Sequence, residues 1–392
     1  MLVLLLTLFI GMAYFWHFGI LGVFRDVAYA WQALAFLDGR LDVTPYLPPE
    51  LLAHPMDLTF RDGLYYWPLK PLPAILVVPL VAFGIVDWAQ PIVKILALLA
   101  IAIGSYLLAR SRGFPPMPAA WLMLALLFGS TLIGPLWLSG PWYLANVLSL
   151  AFGIWAMWEY YGRNRAWLIG LMIGCTWATR PTAGLALAIF FGSETLWRWH
   201  LQGFSYVWRR TLVMGLPVAI TLLLLMGFDA LRFGSLFDNG YGDSVLAGDQ
   251  TERNRLEHGI FSVFYYLQNI YWYFFSFPQW IDGRVVVSSA GLSLFIVSPA
   301  TFWLFFRSCW NSDRALAWLT IALLLPILLA FYGTGGYTYG PRYLCDLLPF
   351  WFILLMETFR IKPMSLTFKV LLIFSIQLNG FLLVALLSPF FN

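Results

Sequence analysis

Residues 23–43 read VFRDVAYAWQALAFLDGRLDV, and the Arg25-Asp26 pair inside them is the first charge in the chain. Everything before the pair is apolar or uncharged, and such a run of about 20 residues is long enough to cross a bilayer. Directly behind it, Val27, Trp31 and Leu34 recur at helical spacing, and Asp38-Gly39 supplies a stop. A helix of this kind lies on a membrane surface. The stretch therefore predicts a span, a carboxylate at its mouth and an interfacial helix after it.

The first run has no basic leader and no small-residue cleavage site, so it is expected to stay as a span. Composition points the same way. Hydrophobic residues make up 61% of the chain and charged ones only 11%, against about 25% charged in a soluble domain. Apolar runs alternate with short polar connectors almost to the last residue, which predicts one polytopic membrane domain over 1–392 and no soluble domain. The net charge of +4 is spread singly and in pairs, which gives no support for nucleic-acid binding. Cys175, Cys309 and Cys345 lack metal-like spacing and read as packing residues.

Orientation follows from the excess of Lys and Arg on cytoplasmic connectors. ARSRG (109–113), YGRNRA (161–166), RWHLQGFSYVWRR (198–210) and FRIK (359–362) are basic, and RSCWNSDR (307–314) is a weaker fifth. With these inside, every acidic residue except Glu159, Glu194, Asp313 and Glu357 falls outside, while the basic residues divide almost evenly. The runs that fit are roughly 2–23, 92–109, 118–138, 143–160, 166–179, 182–197, 211–229, 286–306, 315–332, 347–359 and 366–388, about eleven spans with a range of ten to thirteen. The run 72–87 is short and carries Pro73 and Pro79. It is read as a helix in the outer interface, a true crossing being the alternative, because a crossing would invert every later basic connector.

Two outer segments are long, 24–91 and about 230–285, and loops of that length are usually functional. The first holds a Pro-rich stretch with a tight turn at Asp62-Gly63; the second holds the aromatic run FYYLQNIYWYFFSFPQW, which reads as an interfacial belt. Nucleophile-elbow, P-loop, zinc-protease and CxxC motifs are lacking. What the outer membrane surface does carry is a carboxylate at the mouth of a span, Asp26, with Lys70, Arg180, Arg232 and Arg342 on the same side as cations able to hold a phosphate.

The order of these features resembles the GT-C superfold of membrane glycosyltransferases. Within it, the chain looks more like the bacterial members related to aminoarabinose transferases and protein O-mannosyltransferases. The motifs that carry it are FRDVAYAWQALAFLDGRL, FRDGLYYWPLKPLPAILVVP, WATRPTAGLAL (177–187), DALRFGSLFDNGY (229–241) and YGPRYLCDLLPF (339–350). The chain departs from many relatives in having LKPLP where they have His-Pro-Pro or Pro-Pro-Gly, and it shows no large C-terminal domain of the kind found in some branches. The resemblance implies an all-α, GT-C-like bundle and an inverting transfer of a sugar. The donor would be a polyprenyl-phosphate carrier and the acceptor a hydroxyl on a glycolipid, glycan or protein. The site would be at the outer face of the cytoplasmic membrane. A lipid-linked sugar transporter or flippase is the alternative.

In that chemistry Asp26 is the general base, its bland alternative being a cap for the helix from Val27. Arg342 and Tyr343 hold the donor phosphate, because a guanidinium fork suits phosphate oxygens; the alternative is a snorkelling Arg342 paired with Asp346, four residues on. Lys70 and Arg232 share the phosphate role or meet lipid headgroups. Asp57, Arg61, Arg180 and Tyr66 are accessory positions, Arg61 and Arg180 reading more simply as structural charges. No cofactor is expected. His54, Asp57 and Asp62 are the nearest to a metal set, but a carrier phosphate is less charged than a pyrophosphate and needs an ion less.

Overall fold

The computed structural model describes residues 8–10, 12, 27–53, 57–244, 250–306, 311–335, 338–360 and 363–387. Asp26, His54 and Cys309 lie outside these. The chain is mainly helical, and the helices that position the site are α1 (Ala28–Leu37), α2 (Leu72–Ala82), α3 (Ala89–Ser111), α4 (Pro116–Phe128), α5 (Pro141–Tyr161), α6 (Ala166–Trp177), α7 (Pro181–Trp197), α8 (Trp199–Phe233), α9 (Ser312–Leu329), α10 (Leu348–Phe359) and α11 (Leu366–Leu387). Proline fixes several starts: Pro73, Pro116, Pro141, Pro181 and Pro349 each sit in a first turn, where a missing N–H breaks no helical bond.

Four described helices, α3, α8, α9 and α11, are long and apolar enough to cross a membrane. Helix α2 has 11 residues, about 16 Å at ~1.5 Å per residue, well short of a hydrocarbon core of about 30 Å. Every residue of α10 is buried, and the helix packs against α9, α4 and α5 as the axis of the bundle. Helices α6 and α8 approach closely because Gly170 and Gly174 present no side chain: a Cβ on Gly170 would lie 2.0 Å from the Met214 carbonyl oxygen. Small residues four apart are the usual means by which membrane helices touch.

The expected span 286–306 is corrected. Residues 284–286 form the second strand of a hairpin with 279–281, and the remainder breaks into short turns, Leu294–Val297, Pro299–Phe302 and Trp303–Phe306. The reason is local. Asp282 and Gly283 both have positive φ, as a two-residue hairpin turn requires, Gly291 is left-handed, and Pro299 withholds an N–H. The broken stretch is tied to α11 through Asn379, whose Nδ2 donates to the Val297 carbonyl at 2.9 Å. The expected span 118–138 likewise divides, into α4 and the short helix Ile133–Trp137, around Gly129 and Ser130.

The basic connectors gather at one end of the bundle. Arg112 meets Asp313 at 2.8 Å and also Glu357, which bonds Asn311 and Arg360. Arg165 meets Glu159 at 2.7 Å, while Glu194 receives Arg198 and Arg210. Arg112 also lies 4.1 Å over the Tyr161 ring. The two long loops meet at the opposite end.

Candidate active site

The site starts at the N-terminus of α1. Its first free donors, the N–H groups of Tyr29 and Ala30, both donate to Oε1 of Gln90 at the start of α3. Val27 occupies the cap position and makes no side-chain cap bond. A long-range glutamine thus satisfies two of the N–H groups that a helix start leaves without an intrahelical partner.

The loop behind α1 is folded back by a hairpin in which Thr59 pairs with Tyr66 and Arg61 with Leu64. Asp62 and Gly63 form its tip with φ of 52° and 80°, the left-handed pair that an Asp-Gly turn provides. Thr59 Oγ1 donates to the Gly240 carbonyl at 2.7 Å, and Arg61 bonds Asp238 at 2.6 Å and also Asp243. Tyr66 packs edge-on against Phe233, ring centres 5.3 Å apart. Arg61 and Tyr66 thus clip the first long loop to the second. Lys70 follows the hairpin and pairs with Asp229 at 2.8 Å. Arg232 holds the same carboxylate at 2.7 Å and donates to the Trp67 carbonyl.

Arg342 lies in the segment between α9 and α10. Residues 342–347 form a 3-10 turn, so Arg342 and Asp346 do not share a face as they would in an α-helix. Asp346 is taken instead by Arg180, between α6 and α7, which forks onto its two oxygens at 2.8 and 3.1 Å while Thr182 donates to the second. Arg342 is 7% exposed, and no described carboxylate pairs with it. Its guanidinium carbon sits 5.6, 5.4 and 5.2 Å from the rings of Trp142, Tyr143 and Tyr343, and its Nε has no hydrogen-bond partner. The main chain presses on it too: Gly335, at φ 120°, is so near that a Cβ there would be 2.8 Å from Nε.

These groups line a cavity of about 260 Å³ whose walls include Lys70, Trp142, Arg180, Tyr241, Arg342 and Tyr343. Of its three cations, Lys70 and Arg180 carry bonded carboxylates and Arg342 does not. Asp57 is not part of that lining. It is partly buried at a left-handed φ of 60°, and its burial pushes the carboxyl up to about 6 against the pull of Arg342 and Arg255. Arg255 is held by Ser244 and by the Tyr241 carbonyl. Among the described residues, no three His, Cys, Asp or Glu side chains form a metal-binding group.

Sequence reasoning therefore named Arg342, Tyr343, Lys70 and Arg180, which the fold brings to one cavity, and Arg61, Tyr66 and Arg232, which it places in the loop clasp beside it. It missed Gln90, Asp229, Arg255 and the Arg180–Asp346 pair. Asp229 opens the quoted DALRFGSLFDNGY, and Arg180 and Asp346 stand in the quoted WATRPTAGLAL and YGPRYLCDLLPF, whereas Gln90 and Arg255 lie in no quoted motif.

No family model matches the chain, and no curated protein matches it. Among solved structures, the fold is similar to that of ArnT from Cupriavidus metallidurans, solved bound to undecaprenyl phosphate. The TM-score is 0.51 at 16% identity, over 94% of this chain and 62% of that one. The chain thus spans less than two thirds of its neighbour's length, and the likeness is one of fold, in the direction that the five motifs lead one to expect.

Proposed function

We propose that the protein transfers a sugar from a polyprenyl-phosphate carrier to a hydroxyl acceptor at the outer face of the cytoplasmic membrane. The observation that carries this reading is the charge pattern of the cavity. A buried cation without a counter-ion is expensive, and Arg342 is the lining cation that lacks a described carboxylate. A carrier phosphate supplies the missing charge and accepts the guanidinium fork, with the Tyr343 hydroxyl, 3.5 Å from Arg342, as a second donor. Lys70 keeps two N–H donors beyond its bond to Asp229 and reaches the same cavity, while Arg232 steadies Asp229 from behind.

In the transfer, Asp26 takes the proton of the acceptor hydroxyl. The acceptor oxygen forms the new bond to the anomeric carbon from the face opposite the phosphate. The bond from that carbon to the phosphate oxygen breaks, and its electron pair leaves on the carrier phosphate, where Arg342 stabilises it. The ArnT likeness supports this reading through fold, since that structure holds a polyprenyl phosphate.

Intact-mass comparison of envelope glycolipids and glycans from a deletion strain and its parent tests the reading. Loss of one monosaccharide increment, restored by the wild-type gene, is the expected result. Unchanged glycans, with altered distribution of a lipid-linked sugar across the membrane, would instead make the protein a transporter.

A further inference from the structure

The cavity that holds Arg342 is one-sided in its charge. Its described lining includes Lys70, Arg180 and Arg342 but no Asp or Glu. The two carboxylates bonded to these cations are buried and fully engaged. Asp229 receives Lys70 on one oxygen at 2.8 Å and Arg232 on the other at 2.7 Å. Asp346 receives Arg180 on both oxygens and Thr182 on one of them. Lys70, Arg180, Arg232 and Arg342 therefore stand against two carboxylates, four cations to two, an excess of two positive charges. The hydrogen-bonding character is one-sided as well, because ammonium and guanidinium groups donate and never accept. Thr179 and Thr182 give their own protons to the Cys175 carbonyl and to Asp346, which leaves them lone pairs and no charge to offer.

We infer that the sugar on the carrier is a hydroxyl sugar without a free amino group, and that this cavity rejects a cationic aminosugar. This rests on the donor reading given above and names its substrate class. The bound phosphodiester brings one negative charge and takes the excess around the cavity from two to one; a sugar ammonium returns it to two. A charge in a low-dielectric site needs a partner. Asp229 and Asp346 have no oxygen to give it without releasing a buried cation, and Asp26, in the reaction proposed above, is committed to the acceptor's proton. A sugar hydroxyl meets no such obstacle. It can accept from the spare N–H groups of Lys70 and donate to the lone pairs of Thr179, whereas an ammonium has no lone pair with which to receive Lys70. The carbon face of either sugar finds the same aromatic wall, which includes Trp142 and Phe331, so charge and not shape makes the distinction.

The test is equilibrium binding to the purified full chain, with four donors built on one farnesyl phosphate: glucose against glucosamine, and arabinose against aminoarabinose, at a pH low enough to keep both amines protonated. Within each pair a hydroxyl is exchanged for an ammonium, so size and carrier contacts cancel. Farnesyl methyl phosphate, which keeps the singly charged phosphodiester and lacks the sugar, is the reference. Each aminosugar donor should bind at least about tenfold more weakly than its hydroxyl partner. All of this is read on the unsubstituted protein, so no variant has to fold. Equal affinity within either pair, or tighter binding of an aminosugar, would overturn the inference while leaving the donor site standing. Failure of all four donors and of the reference to bind would remove both.

Discussion

Arg210 at one end of the bundle and Arg342 at the other are almost equally buried, 6% and 7% exposed, but only Arg210 meets a carboxylate, Glu194 at 3.2 Å. The contrast extends to their surroundings. Arg112, Arg165 and Arg198 each have an acidic partner, and together these pairs lock the ends of α3, α5, α7, α9 and α10. At the cavity end the pattern is incomplete. A low-dielectric site requires every buried charge to be satisfied, so closed networks hold a fold together, whereas an open one reserves its charge for something that arrives. The ends also differ in what their carboxylates do: Glu194 and Glu357 are acceptors of several protein donors at once, while no donor among the described residues bonds Asp57.

The contrast breaks most visibly at the carboxylates. Asp26→Asn keeps size and capping ability, yet removes the proposed base; transfer should fall about 100-fold to 10,000-fold with an unchanged unfolding midpoint and unchanged carrier binding. Wild-type turnover by the purified variant would move the base elsewhere. Glu194→Gln, at the closed end, should behave in the opposite manner. It leaves Arg210 and Arg198 without their counter-charge and should cost about 3 kcal/mol of stability, seen as a lower unfolding midpoint in detergent, while the carrier affinity of the folded protein stays the same. A Glu194→Gln protein that is stable but unable to bind carrier would show that the ends are not separate in function.

Much of this was legible in the sequence. The five basic connectors announced one end of the bundle because charges are excluded from the bilayer core. Asp62-Gly63 announced a hairpin because few other pairs accept two left-handed residues, and the apolar spacing of 28–37 announced α1. Other features could not be read locally. The pairing of Asp346 looked like an i,i+4 contact with Arg342, but a 3-10 turn rotates the two apart, and Arg180 reaches Asp346 from 166 positions away. Gln90 and Arg255 have no motif to betray them, since their roles depend on which backbone groups other segments leave unsatisfied. By composition the hydrophobic run 286–306 reads as a span, whereas Asp282-Gly283, Gly291 and Pro299 decide its conformation.

The open charge of Arg342 is tested most directly by equilibrium binding of undecaprenyl phosphate to purified wild type, Arg342→Ala and Arg342→Lys at one pH and salt concentration. The alanine variant should lose about 1.5–3 kcal/mol of binding free energy, the range for hydrogen bonds to a charged group, or roughly 10-fold to 150-fold in affinity at about 1.4 kcal/mol per tenfold. Lysine should recover part of that loss through its point charge without the fork. Equal affinity of all three proteins would contradict the assignment of Arg342 as the residue that holds the carrier phosphate.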